Sequence, residues 1–422
     1  MLYLLQNIAT MEAVRKISNA LKQRTLLITN EIIPMQRQDP RLPVSRKANR
    51  RGVSIFFILH GLCFASWASR IPTIQANLNL NAGALGTLLF ALPLGFFISL
   101  AFAGGLIAKI GSKKAVVLSA TLYSLSLVAI GVSTSVIQVG VSLLFFGFFA
   151  NLLNISVNTQ AVAVEGLYKK RLMASFHGLW SVAGFAGAAF GTLMIGNDVP
   201  PLQHFILIWI IVLIAVAISA IYLVEKDQQP DKKTPILALP DKSLMGLGLI
   251  AFCSMMVEGA MFDWSGVYFR NVVQVSSELT GLGYTIFMIA MAAMRFLADG
   301  VAERFGLTRI LQASGIFATV GLLAAVIFPQ LVPSLFGFLL IGMGVSSVVP
   351  MVYSAAGKSK TMTAGMAITA VSSLGFMGFL IGPPLIGFIA EASSLRGSFL
   401  ALTLMSCAVI VFSSRLRSEH NN

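Results

Sequence analysis

The chain has 422 residues, of which 56% are hydrophobic and only 11% charged. A soluble domain carries about 25% charged residues, so a water-soluble globule is excluded. The net charge of +14 would suit a nucleic-acid binder if it were clustered, but the basic residues are spread over alternate connections between apolar stretches, which marks membrane topology instead.

Residues 1–51 hold ten Lys or Arg against three Asp or Glu. They lack the compact apolar core of a cleavable signal and the length of a span, so a basic cytoplasmic tail is expected. Within it, Met11 to Ile28 is able to form an amphipathic helix on the membrane surface, a poorly ordered tail being the alternative. A translation start at Met11 or Met35 also stays open. Twelve apolar stretches follow, each near the ~20 residues that a helix needs to cross a hydrocarbon core ~30 Å thick. Leu202 to Val224, LQHFILIWIIVLIAVAISAIYLV, is one without a charge. Six precede and six follow the charged linker Glu225 to Ser243, EKDQQPDKKTPILALPDKS. The expected fold is an all-α polytopic membrane protein with 12 transmembrane helices in two six-helix, pseudo-symmetric bundles. The bundles are residues 52–224 and 244–415, joined by the linker at 225–243 and followed by a cytoplasmic tail at 416–422.

Basic residues fall on SRKANRR before the first span, KIGSKK, YKKR, DKK, ERFGLTR, KSK and RLR, whereas the opposite connections, such as NLNLNAG and STSVIQ, are nearly neutral. The positive-inside rule therefore places both termini and the linker in the cytoplasm. Cys63, Cys253 and Cys407 sit alone in apolar stretches and read as small core hydrophobes. The four histidines are scattered, and neither a P-loop nor a dinucleotide fingerprint is present, so no metal, no cofactor and no ATP-driven mechanism is expected.

The two halves repeat at an offset drifting from 191 to 197 residues. Gly184, Phe185, Gly187 and Gly191 in the fifth span match Gly375, Phe376, Gly378 and Gly382 in the eleventh, at 191. Lys109, Ile110 and Gly111 match Arg304, Phe305 and Gly306 at 195, as Gly147 matches Gly342, and Trp67 pairs with Trp264 at 197. Repeats of this kind build transporters with the substrate site between them.

Two similar six-helix halves with both termini inside resemble the major facilitator superfamily, from about residue 52 to 415. GGLIAKIGSKK (104–114) looks like that superfamily's signature loop, although Ala108 replaces its acid while the second copy keeps Glu303 beside Arg304. The resemblance thus implies a cytoplasmic gating pair in the second half, with Lys109 and Gly111 as its degenerate counterpart. ASWASRIP, NTQAVAVE, FHGLWS, EGAMFDW and GPPLIGFIAE together resemble the YbjJ-like inner-membrane proteins of bacteria, neighbours of the fucose-permease-like sugar and proton symporters. That resemblance implies a sugar-like solute, a proton as coupling ion and a bacterial inner (plasma) membrane location.

Ionisable groups within spans are costly and mark pathways or partners. Glu258, near mid-membrane in the seventh span, is the first candidate for proton coupling, against a structural hydrogen-bonding role. Asp263 follows about 140° round the helix, so the two carboxylates do not form a dyad. Trp67 and Trp264 offer rings either to a substrate or to the membrane interface. Asn151, Asn154 and Asn158 lie on one stripe, lining a cavity or bonding a neighbouring helix. Arg295 pairs either with Asp299, four residues on, or with Glu258 or an anionic substrate. Arg70, at the outer end of the first span, snorkels to headgroups or guards an entrance. Glu165, beside Lys169, Lys170 and Arg171, and His177 are candidates for a cytoplasmic gate, with Glu303, Arg304, Lys109 and Gly111.

The function expected is secondary active transport by alternating access, proton-coupled, of a small polar organic solute through a monomer, with the lipid bilayer and the solute as partners and nucleic acid excluded. Efflux of hydrophobic or cationic compounds is the rival within the class. A non-transporting membrane sensor is the rival outside it. No nucleophile and base converge, so an enzyme is not expected.

Overall fold

The computed structural model describes residues 45–168, 172–225, 240–359, 361–362 and 364–419; for helix residues 174, 296, 298–304, 364–365 and 417–419 it describes the backbone alone. The tail helix expected at 11–28, the centre of the linker and Lys169, Lys170 and Arg171 lie outside these residues. Described residues form helices and no strand. Among the described residues, twelve helical segments are long and apolar enough to span a bilayer. In the first half these are Arg46–Asn77, Ala82–Ile110, Ser112–Val132, Val136–Tyr168, Ser175–Gly196 and Pro201–Tyr222. In the second they are Met245–Asn271, Ser277–Arg295, Leu307–Ile327, Leu331–Ala356, Met366–Ala392 and Leu395–Leu416. The first helix takes in the basic Arg46, Lys47, Arg50 and Arg51, which were expected just before it.

Two spans are interrupted ahead of a proline. Helix Ala82–Leu89 passes to Ala91–Ile110 through Phe90, where Pro93, four residues after Leu89, withholds a donor from the carbonyl of Leu89. Helix Leu331–Val345 passes to Val348–Ala356 at Ser346 and Ser347, where Pro350 has the same effect on Ser346.

Matching contacts relate the two halves. Gly147 packs against the carbonyl of Leu92 and Gly342 against that of Phe287, both pairs of counterparts being 195 residues apart. The third and ninth spans start and end at the same offset. Gly86 meets the carbonyl of Pro383, and its counterpart Gly281 meets Thr192, which fixes the fifth and eleventh spans at 191.

The first and seventh spans correct one expectation. Gly187 touches the carbonyl of Leu62 and Gly378 that of Phe252, while Gly61 faces Gly184 as Ala251 faces Gly375. This register is 190 residues, not 197, so the counterpart of Trp67 is Val257, and Trp264 stands two turns further along. Seven residues return a helix nearly to the same face, which is why matching the two tryptophans by type misplaces the register.

Contacts between the halves gather at the end remote from the termini. Arg270 Nη1 donates to the carbonyl of Pro72 at 2.9 Å and Asn81 Nδ2 to Glu391 Oε1 at 2.8 Å. Gly86 also lies against Gly387, and Gly196 against Glu278. Large apolar side chains such as Phe102, Ile137, Ile218, Val332 and Leu404 are exposed on the outer faces. An apolar belt on this scale is stable in lipid, not in water.

Candidate functional site

Tight helix pairs frame a cleft. Gly61, Gly184 and Gly187 let the fifth span press on the backbone of the first, and Gly375 and Gly378 do the same for the eleventh on the seventh. Close packing through small residues is the usual basis of helix association in lipid. Glu258 lies 13 residues into the helix Met245–Asn271, about 20 Å along it at 1.5 Å per residue, and hence at mid-span.

Arg295 of the eighth span reaches Glu258. Its Nη2 is 3.2 Å from Glu258 Oε1, and Nη1 donates to Ser181 Oγ at 2.8 Å. Its Cζ stands 5.7 Å from the centre of the Trp180 ring. Ser181 and Trp180 belong to the fifth span, so one guanidinium ties a carboxylate of the second half to a hydroxyl and an aromatic face of the first. The side chains of Arg295 and Glu258 keep 22% and 13% of their exposure, so the pair is partly accessible rather than sealed in the core. A charge here is tolerable because a partner and hydrogen bonds replace water.

Further groups surround the pair. Tyr353 of the tenth span lies near Ser372 and within electrostatic reach of Glu258, and His177 lies within reach of Arg295. His177 meets Phe57 edge-on, with ring centres 5.3 Å apart, and its carbonyl accepts from Ser181 Oγ. Trp180 also contacts His60 and Phe64, and Phe64 packs edge-on against Phe262 of the other half at 5.1 Å. The aromatic wall therefore continues across the cleft.

The remaining expected residues divide. Asp263 is buried, with the Tyr284 hydroxyl in its electrostatic neighbourhood. Trp67 and Trp264 are buried in the protein, which removes the interface-anchoring reading, and neither indole N–H has a hydrogen-bond partner. Asn151 donates to the carbonyl of Phe96 at 3.0 Å, tying the fourth span to the second, while Asn158 donates to Asn154 in its own helix. Glu165 accepts from the backbone N–H of Leu172 and Met173, so it caps the start of the fifth span. Lys109 is exposed, and Gly111 ends its helix at φ +82°. The side chains of Asp299, Glu303 and Arg304 lie outside those described.

Arg70 does not snorkel. It is buried, with Nε donating to His204 Nδ1 at 3.1 Å and Nη2 to the carbonyl of Val199 at 2.8 Å. Sequence reasoning missed Trp180 and Ser181 as site residues although FHGLWS contains both, because neither carries a charge. It also missed Tyr353, for which the sequence holds no distinguishing signal.

Twelve spans in two related halves around a polar mid-span cleft define a polytopic membrane transporter rather than an enzyme. The chain belongs to the major facilitator superfamily: the family model described as Major Facilitator Superfamily matches residues 53–360 and 247–422. It is 32% identical over 374 residues to an uncharacterised transporter of Sinorhizobium fredii, covering 87% of this chain and 98% of that protein. The fold is shared with the nucleoside transporter NupG, at TM-score 0.69 and 12% identity over 89% of this chain and 99% of NupG. It is also shared with the Escherichia coli fucose:proton symporter FucP, at TM-score 0.60 and 16% identity over 87% and 98% of the two chains.

Proposed function

We propose that the protein is a proton-coupled secondary transporter that imports a small polar organic solute by alternating access. The observation that carries this reading is the Glu258–Arg295 pair, at mid-span, reaching Ser181 on the opposite half. A carboxylate in such a place is able to take up and release a proton while its cation changes partners. The two halves, proposed at 52–224 and 244–415, then rock about the cleft. With the basic connections and both termini in the cytoplasm of a bacterial inner-membrane protein, the contacts at the remote end support the reading of an inward-open conformation.

Lys109, Gly111, Glu165, Glu303 and Arg304, with His177 one turn from Ser181 on the side toward them, form the proposed inner gate in this reading. Trp264, Trp67, Asp263 and the pair Asn154 and Asn158 complete the proposed pathway, whereas Asn151 serves packing. Solved relatives in fold that carry fucose with a proton, or nucleosides, support a hydroxyl-bearing solute of modest size. The protein acts as a monomer in this reading, since the pathway runs within one chain.

The test is reconstitution into liposomes loaded with a pH-sensitive dye, with sugars, nucleosides and organic acids added in turn. A solute that carries protons inward with the wild type, but not with Glu258→Gln, supports the reading. Proton movement that is equal in both proteins removes Glu258 from coupling.

A further inference from the structure

The charge balance of the cleft identifies the class of solute. Arg295 carries one positive charge, and Glu258 is the carboxylate within salt-bridge distance of it among the described side chains. The other titratable groups facing the pair are His177 from the fifth span, Tyr353 from the tenth and, behind Trp180, His60 from the first. Among the described side chains, none of these supplies a negative charge to Arg295 when Glu258 is neutral. If Glu258 takes a proton, as the coupling reading on which this inference rests requires, a neutral solute leaves the guanidinium without a counter-charge among the described side chains. An uncompensated charge at that depth is costly.

We propose that the transported solute is a small organic carboxylate with one negative charge, bound by Arg295 in the place that Glu258 vacates. A proton entering the site adds to Glu258 and breaks its contact with Arg295; the solute carboxylate accepts the freed Nη2–H. The site is neutral before and after, with one carboxylate exchanged for another. A single guanidinium matches one carboxylate, whereas a doubly charged phosphate would leave an excess negative charge. The Ser181 hydroxyl stays on Nη1 to orient the group. Beyond it, Trp180, Phe64 and Phe262 form a continuous aromatic wall that suits a flat or apolar body.

The experiment measures thermal stabilisation of the purified full chain by benzoate, nicotinate, gluconate and glucuronate, each beside a neutral counterpart: benzamide, nicotinamide, sorbitol and glucose. Selective binding raises the melting temperature by mass action. At least one acid is expected to stabilise the wild type, more strongly as pH falls, while its neutral counterpart does not. Glu258→Gln, which removes the competing carboxylate at every pH, should bind the same acid about tenfold more tightly and lose the pH dependence. Arg295→Gln should abolish binding. Where Arg295→Gln fails to fold, Arg295→Lys and the Glu258→Gln result decide.

Stabilisation by neutral solutes alone, by none of the acids, or equally in Glu258→Gln and wild type overturns the proposal. The two readings fail separately. Proton-driven movement of a neutral solute, lost in Glu258→Gln, keeps the coupling and removes the carboxylate. Arg295-dependent binding of an acid that no pH gradient drives keeps the carboxylate site and removes the coupling.

Discussion

Gly111 and Gly306, 195 residues apart, hold the same backbone conformation, with φ and ψ of +82° and 153° in one and +79° and 157° in the other. Each turns the chain between two spans on the side of the termini, in a region of conformational space that a Cβ makes costly. The later glycine of the degenerate signature, Gly111, thus serves its geometry, even though Ala108 stands in place of the acid.

Gly111→Ala and Gly306→Ala should therefore each lower stability, by about 1–3 kcal/mol. Gly104→Ala is the control, because a methyl there meets open space. Thermal unfolding in detergent checks all three, and equal melting temperatures would show that the turns relax without strain.

Gly147 and Gly342 test the repeat at its packing. A side chain on either would strike a carbonyl, that of Leu92 or that of Phe287, on the partner span. Gly147→Val and Gly342→Val should reduce the yield of folded protein to similar degrees, measured by gel filtration. A loss confined to one half would mean that the equivalent contacts differ in weight.

Stability at the Glu258–Arg295 pair should be non-additive. Removing either partner leaves the other uncompensated, at a cost of about 1–3 kcal/mol in a partly exposed site. The double variant Glu258→Gln, Arg295→Gln should recover most of that loss. A double-mutant cycle by thermal unfolding measures it, and simple additivity would show that the contact carries no coupling energy.

Glu225 gives a pH-dependent contact outside the spans. Its hydrogen bond from Lys113, at 2.7 Å, with the added charge of that lysine, holds its carboxyl below the usual 4.5. A lowered folded-state value means stability that is present above pH 4.5 and lost as pH falls through the folded-state value. Glu225 is exposed, so the effect is small. Lys113→Met should melt slightly below the wild type at pH 7, and the gap should close in strong acid. A gap that persists there would have another origin.

The span count was legible because lipid imposes one length on every helix, and the repeat because close backbone approach leaves glycine little alternative, as at Gly147 and Gly342. The register of the first and seventh spans was not, since Trp67 and Trp264 are alike in type without being equivalent in place. Within the site, Glu258 stood out through the cost of its charge. Arg295 was a candidate too, but its pairing stayed open between Asp299, four residues away on its own helix, and Glu258; the packing of three helices brings it to Glu258 and Ser181. Conversely, Asn151 shared a stripe with Asn154 and Asn158 yet turned to a neighbouring helix, a choice that periodicity does not encode.

By the registers of 190 and 195 residues, the positions of Glu258 and Arg295 correspond in the first half to Ala68 and Leu100. The duplication is complete in architecture and one-sided in charge. Each half therefore has a different freedom to change: substitutions around Trp180 and Ser181 reshape what the cleft touches without touching the ion pair's own helices, whereas the same changes in the second half alter the pair directly. A hybrid protein with its first half exchanged for that of a relative would keep its charges and acquire a new opposing wall.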